Sequence, residues 1–252
     1  MKPSIVVMNF THVYEKEHFV SNQRFSWVNC TDLQGTDCYL DADTQNELVL
    51  RIKTFSAHGI HFIDSGNYHY LSKLWTDKIE EPFSLIVFDH HPDMQPSLFE
   101  GLMSCGCWVK SVIDTNPWLR KVVIIGAADK LIQQVTEEYR ERVRFYSENK
   151  LSHDESWQNF SMAHLKEPVY ISVDKDVLNT QAAVTNWDQG SMSLPELEKI
   201  FSVILRSEDV IGVDVCVECS SSLEIFEEER ESEVNGEANQ ELLSLYLSAD
   251  KQ

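Results

Sequence analysis

Basic residues are scarce in this chain: 21 Lys and Arg stand against 41 Asp and Glu, a formal charge of −20. Proteins that grip a phosphate backbone concentrate Lys and Arg, so this balance argues against a nucleic-acid partner. Long hydrophobic runs are missing too. No stretch approaches the roughly 18 apolar residues that cross a bilayer, so no membrane association is expected. The first residues, Met-Lys-Pro-Ser-Ile-Val-Val-Met-Asn-Phe, hold an apolar run too short for a signal-peptide core, and Thr-His follows where a small-residue cleavage site would stand. Export is not indicated, and a cytoplasmic location is expected. Gly/Ser- or Pro-rich linkers and internal repeats are lacking, which points to one domain across residues 1–252.

Cysteine is present but sparse for the length: Cys30, Cys38, Cys105, Cys107, Cys216 and Cys219. A chain this long builds a hydrophobic core and does not need a disulfide framework, so reduced thiols are expected. Cys216 and Cys219 have a common zinc spacing, but the pair straddles a predicted strand end and carries little weight. The acidic surplus suits solubility, and a carboxylate cluster attracts metal cations or a small cationic substrate such as a guanidine or amine. A homo-oligomer is compatible with all of this.

What the chain does have is alternation. Short β-branched or apolar runs at residues 4–8, 60–63, 84–88, 121–125, 143–146, 168–173 and 210–215 read as buried strands. Amphipathic stretches at 45–58, 70–79, 128–142 and 194–206 read as helices between them. Such alternation predicts an α/β fold, a three-layer α/β/α sandwich around a mainly parallel sheet. From about residue 220 an acidic run leads into helical spacing at 238–247, read as a solvated helix face or loop.

Three segments rich in acids or His follow predicted strands directly: Ser65-Gly-Asn-Tyr-His69, Asp89-His-His-Pro-Asp93 and Asp174-Lys-Asp176. Ligands of open α/β sheets bind at the carboxyl ends of the strands, so groups far apart in sequence can converge there. Asp89, His91 and Asp93 share one alternating phase, and His90 would point away. Taken alone, the acids of one turn are as well explained by helix capping or ion pairing as by metal binding. A second turn with two carboxylates at the end of a buried strand shifts the balance, because buried like charges need compensation and a cation supplies it. Imidazole and carboxylates suit borderline and hard divalent ions.

Asp89-x-His91-x-Asp93 followed by Ser172-x-Asp174-x-Asp176 resembles the paired metal motifs of the arginase, agmatinase and formiminoglutamase (ureohydrolase) superfamily, and Gly66-Asn67-Tyr68-His69 resembles its upstream Gly-Gly-Asp-His segment. The resemblance implies two Mn²⁺ ions, or other divalent metals, with His69, Asp89, Asp93 and Asp174 on one and Asp89, His91, Asp174 and Asp176 on the other. It implies hydrolysis of a guanidino or amidino C–N bond in a small molecule, with Asp93 orienting the attacking hydroxide.

Departures from the family pattern are specific. Met103-Ser104-Cys105-Gly106-Cys107 stands where the family carries a proton-shuttling His, making Cys105 the candidate there. Glu218 resembles the family's substrate-facing acid but with one extra residue before it, which a β-bulge could absorb. Asn179 replaces a common Asp, and residues 185–190 depart from the substrate loop. Two alternatives stay open: a non-catalytic metal- or ligand-binding relative, and a DHH-type metal phosphoesterase, suggested by Val87-Phe-Asp-His-His-Pro92.

Overall fold

The computed structural model describes residues 4–21, 24–97, 101–153, 165–219 and 225–249. Eight strands form one sheet: β1 Ser4–Asn9, β2 Phe25–Asn29, β4 Gly59–Ser65, β5 Phe83–Phe88, β7 Leu119–Ile125, β8 Val143–Tyr146, β9 Val169–Asp174 and β10 Val210–Glu218. Their order is β2-β1-β4-β10-β9-β5-β7-β8 and every pairing is parallel. The central strands are buried along nearly their whole length, which is why they read as continuous apolar runs instead of alternating ones. A separate two-residue antiparallel pair joins β3 Tyr39–Leu40 to β6 Met103–Ser104.

Both faces of the sheet are covered. One core packs Met8, Leu85 and Val87 against Leu74 and Trp75 of the helix Leu71–Thr76 and Trp108, Val109 and Val112 of the helix Trp108–Thr115. The other packs Ile86, Ile171 and Val213 against Leu197, Phe201 and Ile204 of the helix Leu194–Ser207 and against Leu242 of the C-terminal helix Ile225–Ala249. The helix Leu194–Ser207 starts at a capping box: the backbone N–H and hydroxyl of Ser193 both donate to Glu196 Oε2, at 2.8 and 2.6 Å.

All seven predicted strands are present, and the sandwich is the one expected. The differences lie at edges and in helices. β2 went unpredicted because it is an edge strand with only Val28 buried, so its sequence carries little apolar signal. The helix expected at 45–58 is Ala42–Arg51, started by Asp41 accepting from Thr44 N–H at 2.8 Å. The stretch 128–142 breaks into Asp129–Ile132 and Glu137–Arg140, and the Arg140 guanidinium donates to the carbonyls of Gln133 and Val135 in the break, each at 2.9 Å. The helical spacing at 238–247 lies inside the C-terminal helix, while residues 220–224 of the acidic run fall outside the described residues.

Gly212 sits between β4 and β9 where no side chain fits: a Cβ there would lie 2.0 Å from the Ala57 carbonyl oxygen. We expect Gly212→Ala to destabilise the protein by about 1–3 kcal/mol through overpacking. Urea unfolding of the two proteins measures the difference, and an unchanged midpoint would contradict the packing.

Candidate metal centre

Strands β4, β9 and β5 end at the same edge of the sheet, and each delivers a ligand-bearing turn there. After β4, Ser65 accepts from the Asn67 N–H and opens a short 3-10 turn, Gly66–Tyr68, that carries His69 into the interior. Gly66 is required at this bend: a Cβ would meet the Trp187 indole at 2.8 Å and Val217 Cγ2 at 2.9 Å. After β5, Asp89 accepts from the His91 N–H at 2.5 Å, and Asp93 takes a left-handed backbone with φ 49°. After β9, Asp174 accepts from the Asp176 N–H at 2.8 Å. In the last two turns a carboxylate folds over the N–H two residues on, so carboxylates and imidazoles face one another.

The resulting geometry has two lobes. His69 Nδ1 lies 3.0 Å from Asp174 Oδ2, 3.1 Å from Asp93 Oδ2 and 3.6 Å from Asp89 Oδ2. His91 Nδ1 lies 2.7 Å from Asp176 Oδ2 and 3.7 Å from Asp89 Oδ1. Two sets of donors, His69/Asp89/Asp174 and Asp89/His91/Asp176, are each compact enough for one cation, and Asp89 belongs to both. His69 Nδ1 and Asp89 Oδ2 are buried and lack a hydrogen-bond partner. Orphaned polar atoms facing each other inside a protein are costly, and a cation between them removes the cost. The donor set, oxygen with imidazole nitrogen, fits a hard or borderline divalent ion.

Electrostatics agree. Burial, together with Asp93, Asp176 and Asp174, pushes the Asp89 carboxyl far above the usual carboxylate range. Burial and Asp176 raise Asp174 to about 6. Burial works against charge on His91, yet its hydrogen bond to Asp176 and the charges of Asp176, Asp93 and Asp174 together outweigh it and hold the imidazole at about 9. The surplus of negative charge thus retains protons on carboxyl and imidazole groups alike, the place that a cation would take.

Supporting groups lie behind the ligand set. The Trp108 indole N–H donates to Asp93 Oδ2 at 2.7 Å. Ser172 Oγ donates to Asp214 Oδ1 at 2.6 Å and lies 2.9 Å from His69 Nε2. With its own hydrogen committed to Asp214, the hydroxyl accepts from Nε2–H; burial opposes charge on His69, but Asp174 and Asp93 outweigh it and favour a proton on Nδ1, where a metal would take the proton's place. Sequence reasoning assigned no role to Trp108 or Asp214; an acid inside the apolar run Ile211-Gly-Val-Asp-Val was the available signal for the latter.

A cleft of about 460 Å³ opens above this floor; Cys105, Met94, Tyr139 and Trp187 are among its lining residues. Cys105 therefore stands beside the cluster, where burial and then Asp93 push its thiol well up, so it is protonated at neutral pH. His90 points elsewhere, as expected, with Nδ1 4.0 Å from Glu148. All six cysteines are free, as expected, and none joins a compact metal-binding group among the described residues.

The model of the Arginase family matches residues 14–234. The chain belongs to the arginase family. It is 28% identical over 235 residues to an uncharacterized protein of Thermotoga maritima, covering 92% of this chain and 87% of that protein. Formimidoylglutamase from Bacillus subtilis superposes with a TM-score of 0.71 at 15% identity, over 99% of this chain and 87% of that one. A Trypanosoma cruzi formiminoglutamase variant with Mn²⁺ superposes with a TM-score of 0.72 at 10% identity, over 98% and 94%. At these identities the structures establish the fold alone.

Against this family background, Glu218 requires correction. It does not reach the cleft wall. β10 pairs with β4 in constant register from Gly212 to Glu218, and its irregularity against β9 falls earlier, between Val210 and Gly212, so no bulge lies between Asp214 and Glu218. Instead Val217 takes a left-handed φ of 78° beside Gly66, and Glu218 turns to the other side of the sheet, fully buried, where Lys175 Nζ and Asn239 Nδ2 donate to it. In this arginase-family member that acid is engaged within the fold.

The raised carboxylate gives a pH signature. Asp174 binds its proton more tightly in the folded protein (about 6) than in the unfolded chain (3.8), so its stabilising effect is complete below pH 3.8 and is lost as pH rises through about 6. In chelator-treated protein, Asp174→Asn should raise the thermal midpoint near neutral pH by about 5 °C, with little gain at pH 4. Parallel thermal melts decide it: equal gain at both pH values would show that the carboxylate is not under charge stress.

Proposed function

We propose that this chain is a metal-dependent hydrolase of the ureohydrolase type, acting on a non-peptide C–N bond of a guanidino, amidino or related small molecule in the cytoplasm. The observation that carries the reading is the pair of His/carboxylate groups sharing Asp89 at the floor of an open cleft. His69, Asp89, Asp93 and Asp174 would hold one Mn²⁺, and Asp89, His91, Asp174 and Asp176 the other, with Asp89 and Asp174 common to both. When bound, such a pair of cations lowers the pKa of water and stabilises developing negative charge.

The protein's own groups do the rest. Asp93, anchored by the Trp108 indole, accepts a hydrogen bond from the attacking water and aims it at the trigonal carbon. Cys105, a protonated thiol at the cleft wall, donates its proton to the departing nitrogen and regains one from solvent. Such a thiol is a weaker shuttle than an imidazole that titrates near neutral pH.

The engagement of Glu218 with Lys175 favours a second reading, a relative that binds metal and a small ligand without turnover. Membership of the arginase family sets aside the phosphoesterase likeness of residues 87–92.

Metal analysis beside steady-state assays on a panel of guanidines and amidines separates the readings. Two Mn²⁺ per chain with turnover supports the hydrolase; two ions with saturable ligand binding and no turnover supports the binder. If the metal-replete protein holds no more than one divalent ion, and Asp89→Ala with Asp174→Ala leaves that number unchanged, the centre is misassigned. We expect weak or no turnover of arginine and agmatine, and a gain of about tenfold or more in Cys105→His. Robust wild-type turnover that survives Cys105→Ala would remove Cys105 from the mechanism.

A further inference from the structure

A second polar cluster lies under the ligand turns, on the opposite face of the sheet from His69. Lys175 is the residue between Asp174 and Asp176, and its side chain is completely buried. Its ammonium donates to Glu218 Oε1 and, at 3.1 Å, to Asn239 Oδ1. The Asn239 amide donates in turn to Glu218 Oε1 and to Glu17 Oε2, both at 2.8 Å. Glu17 ends the segment after β1, Glu218 ends β10, and Asn239 belongs to the C-terminal helix, beyond the residues 14–234 matched by the family. Four separate parts of the chain meet in one hydrogen-bonded cluster.

The geometry matters because of alternation along the turn. Asp174 and Asp176 face the metal cluster, and Lys175 between them points the other way, into the Glu218–Asn239–Glu17 group. A long, flexible side chain held rigid at its far end fixes the backbone at its near end. That backbone carries two candidate ligands, one of them on each lobe of the centre. Burying a lysine costs several kcal/mol unless it is paired and hydrogen-bonded, and a hydrophobic residue at 175 would fill the space without that demand. The ion pair therefore calls for a role that packing alone does not supply.

We propose that Lys175 is a positioning residue: through its ion pair with Glu218 and the Asn239 amide, it locks the Asp174–Asp176 turn in the geometry that binds divalent metal, so that the C-terminal helix controls metal affinity without touching the cleft. The inference rests on the metal-centre reading above. Removing groups that orient ligands lowers metal affinity by about 10–100-fold in comparable sites, and that is the loss expected here.

The test is Mn²⁺ affinity of the full chain by calorimetric titration, with the thermal midpoint of the metal-free protein measured alongside. Lys175→Met alone strands a buried carboxylate and risks misfolding, so the informative variant is Lys175→Met with Glu218→Gln, which removes both charges and keeps the shape. It should bind Mn²⁺ about 10–100-fold more weakly while its metal-free midpoint shifts little. Asn239→Leu should weaken binding in the same direction by a smaller factor. Leu242→Ala, a cavity in the same helix, should lower the midpoint and leave affinity intact. Wild-type Mn²⁺ affinity in both the paired variant and Asn239→Leu would overturn the proposal and leave the metal centre standing. Absence of Mn²⁺ binding by the wild type itself would bring down the metal centre, and this inference with it.

Discussion

Four carboxylates converge on two imidazoles at one edge of a parallel sheet, and the repulsion among those carboxylates organises much of what surrounds them. In low-dielectric surroundings like charges a few ångström apart cannot all remain ionised without compensation. Every nearby feature answers that demand. The Trp108 indole, the His90 and His91 N–H groups and the Asp176 N–H each donate to one of these acids. What these donors leave uncompensated, chiefly His69 Nδ1 facing Asp89 Oδ2, has the shape and chemistry of a cation site.

The sheet is what makes the convergence permanent. Parallel strands buried on both faces hold their register through a full set of ladder hydrogen bonds, so the turns after β4, β5 and β9 are fixed relative to one another although His69 and Asp176 are far apart in sequence. Ser172 and Asp214 extend the same logic inward: facing each other across the β9–β10 ladder, they set the tautomer of His69 from inside the sheet. Lys175 extends it to the other face.

Glu218 illustrates how one backbone conformation redirects a side chain. Three residues separate Asp214 from Glu218, one more than in the pattern that the sequence resembles, and the extra residue changes the parity of the strand end. A bulge would have returned the acid to the cleft. The left-handed backbone at Val217 resolves it differently, seating a valine against Gly66 and sending the carboxylate to Lys175. Glu218 is therefore absent from the lining of the cleft above the metal-ligand cluster.

The fold class, seven of the sheet's eight strands and the convergence of the three ligand-bearing turns were legible in the sequence, because each depends on local patterns: buried apolar runs, helical spacing, and acids in alternating phase at strand ends. The membership in the arginase family was legible for the same reason, since its two Asp motifs are contiguous in the chain. Edge strand β2 and the break at Gln133–Thr136 were not, because an exposed strand carries a weak apolar signal and the break is held by Arg140 reaching back to backbone carbonyls. The direction of Glu218, the burial of Lys175 and the support given by Asp214 and Trp108 were decided only by tertiary structure. Each depends on which way a side chain leaves a backbone whose course is set by distant partners, and no spacing along the chain encodes that.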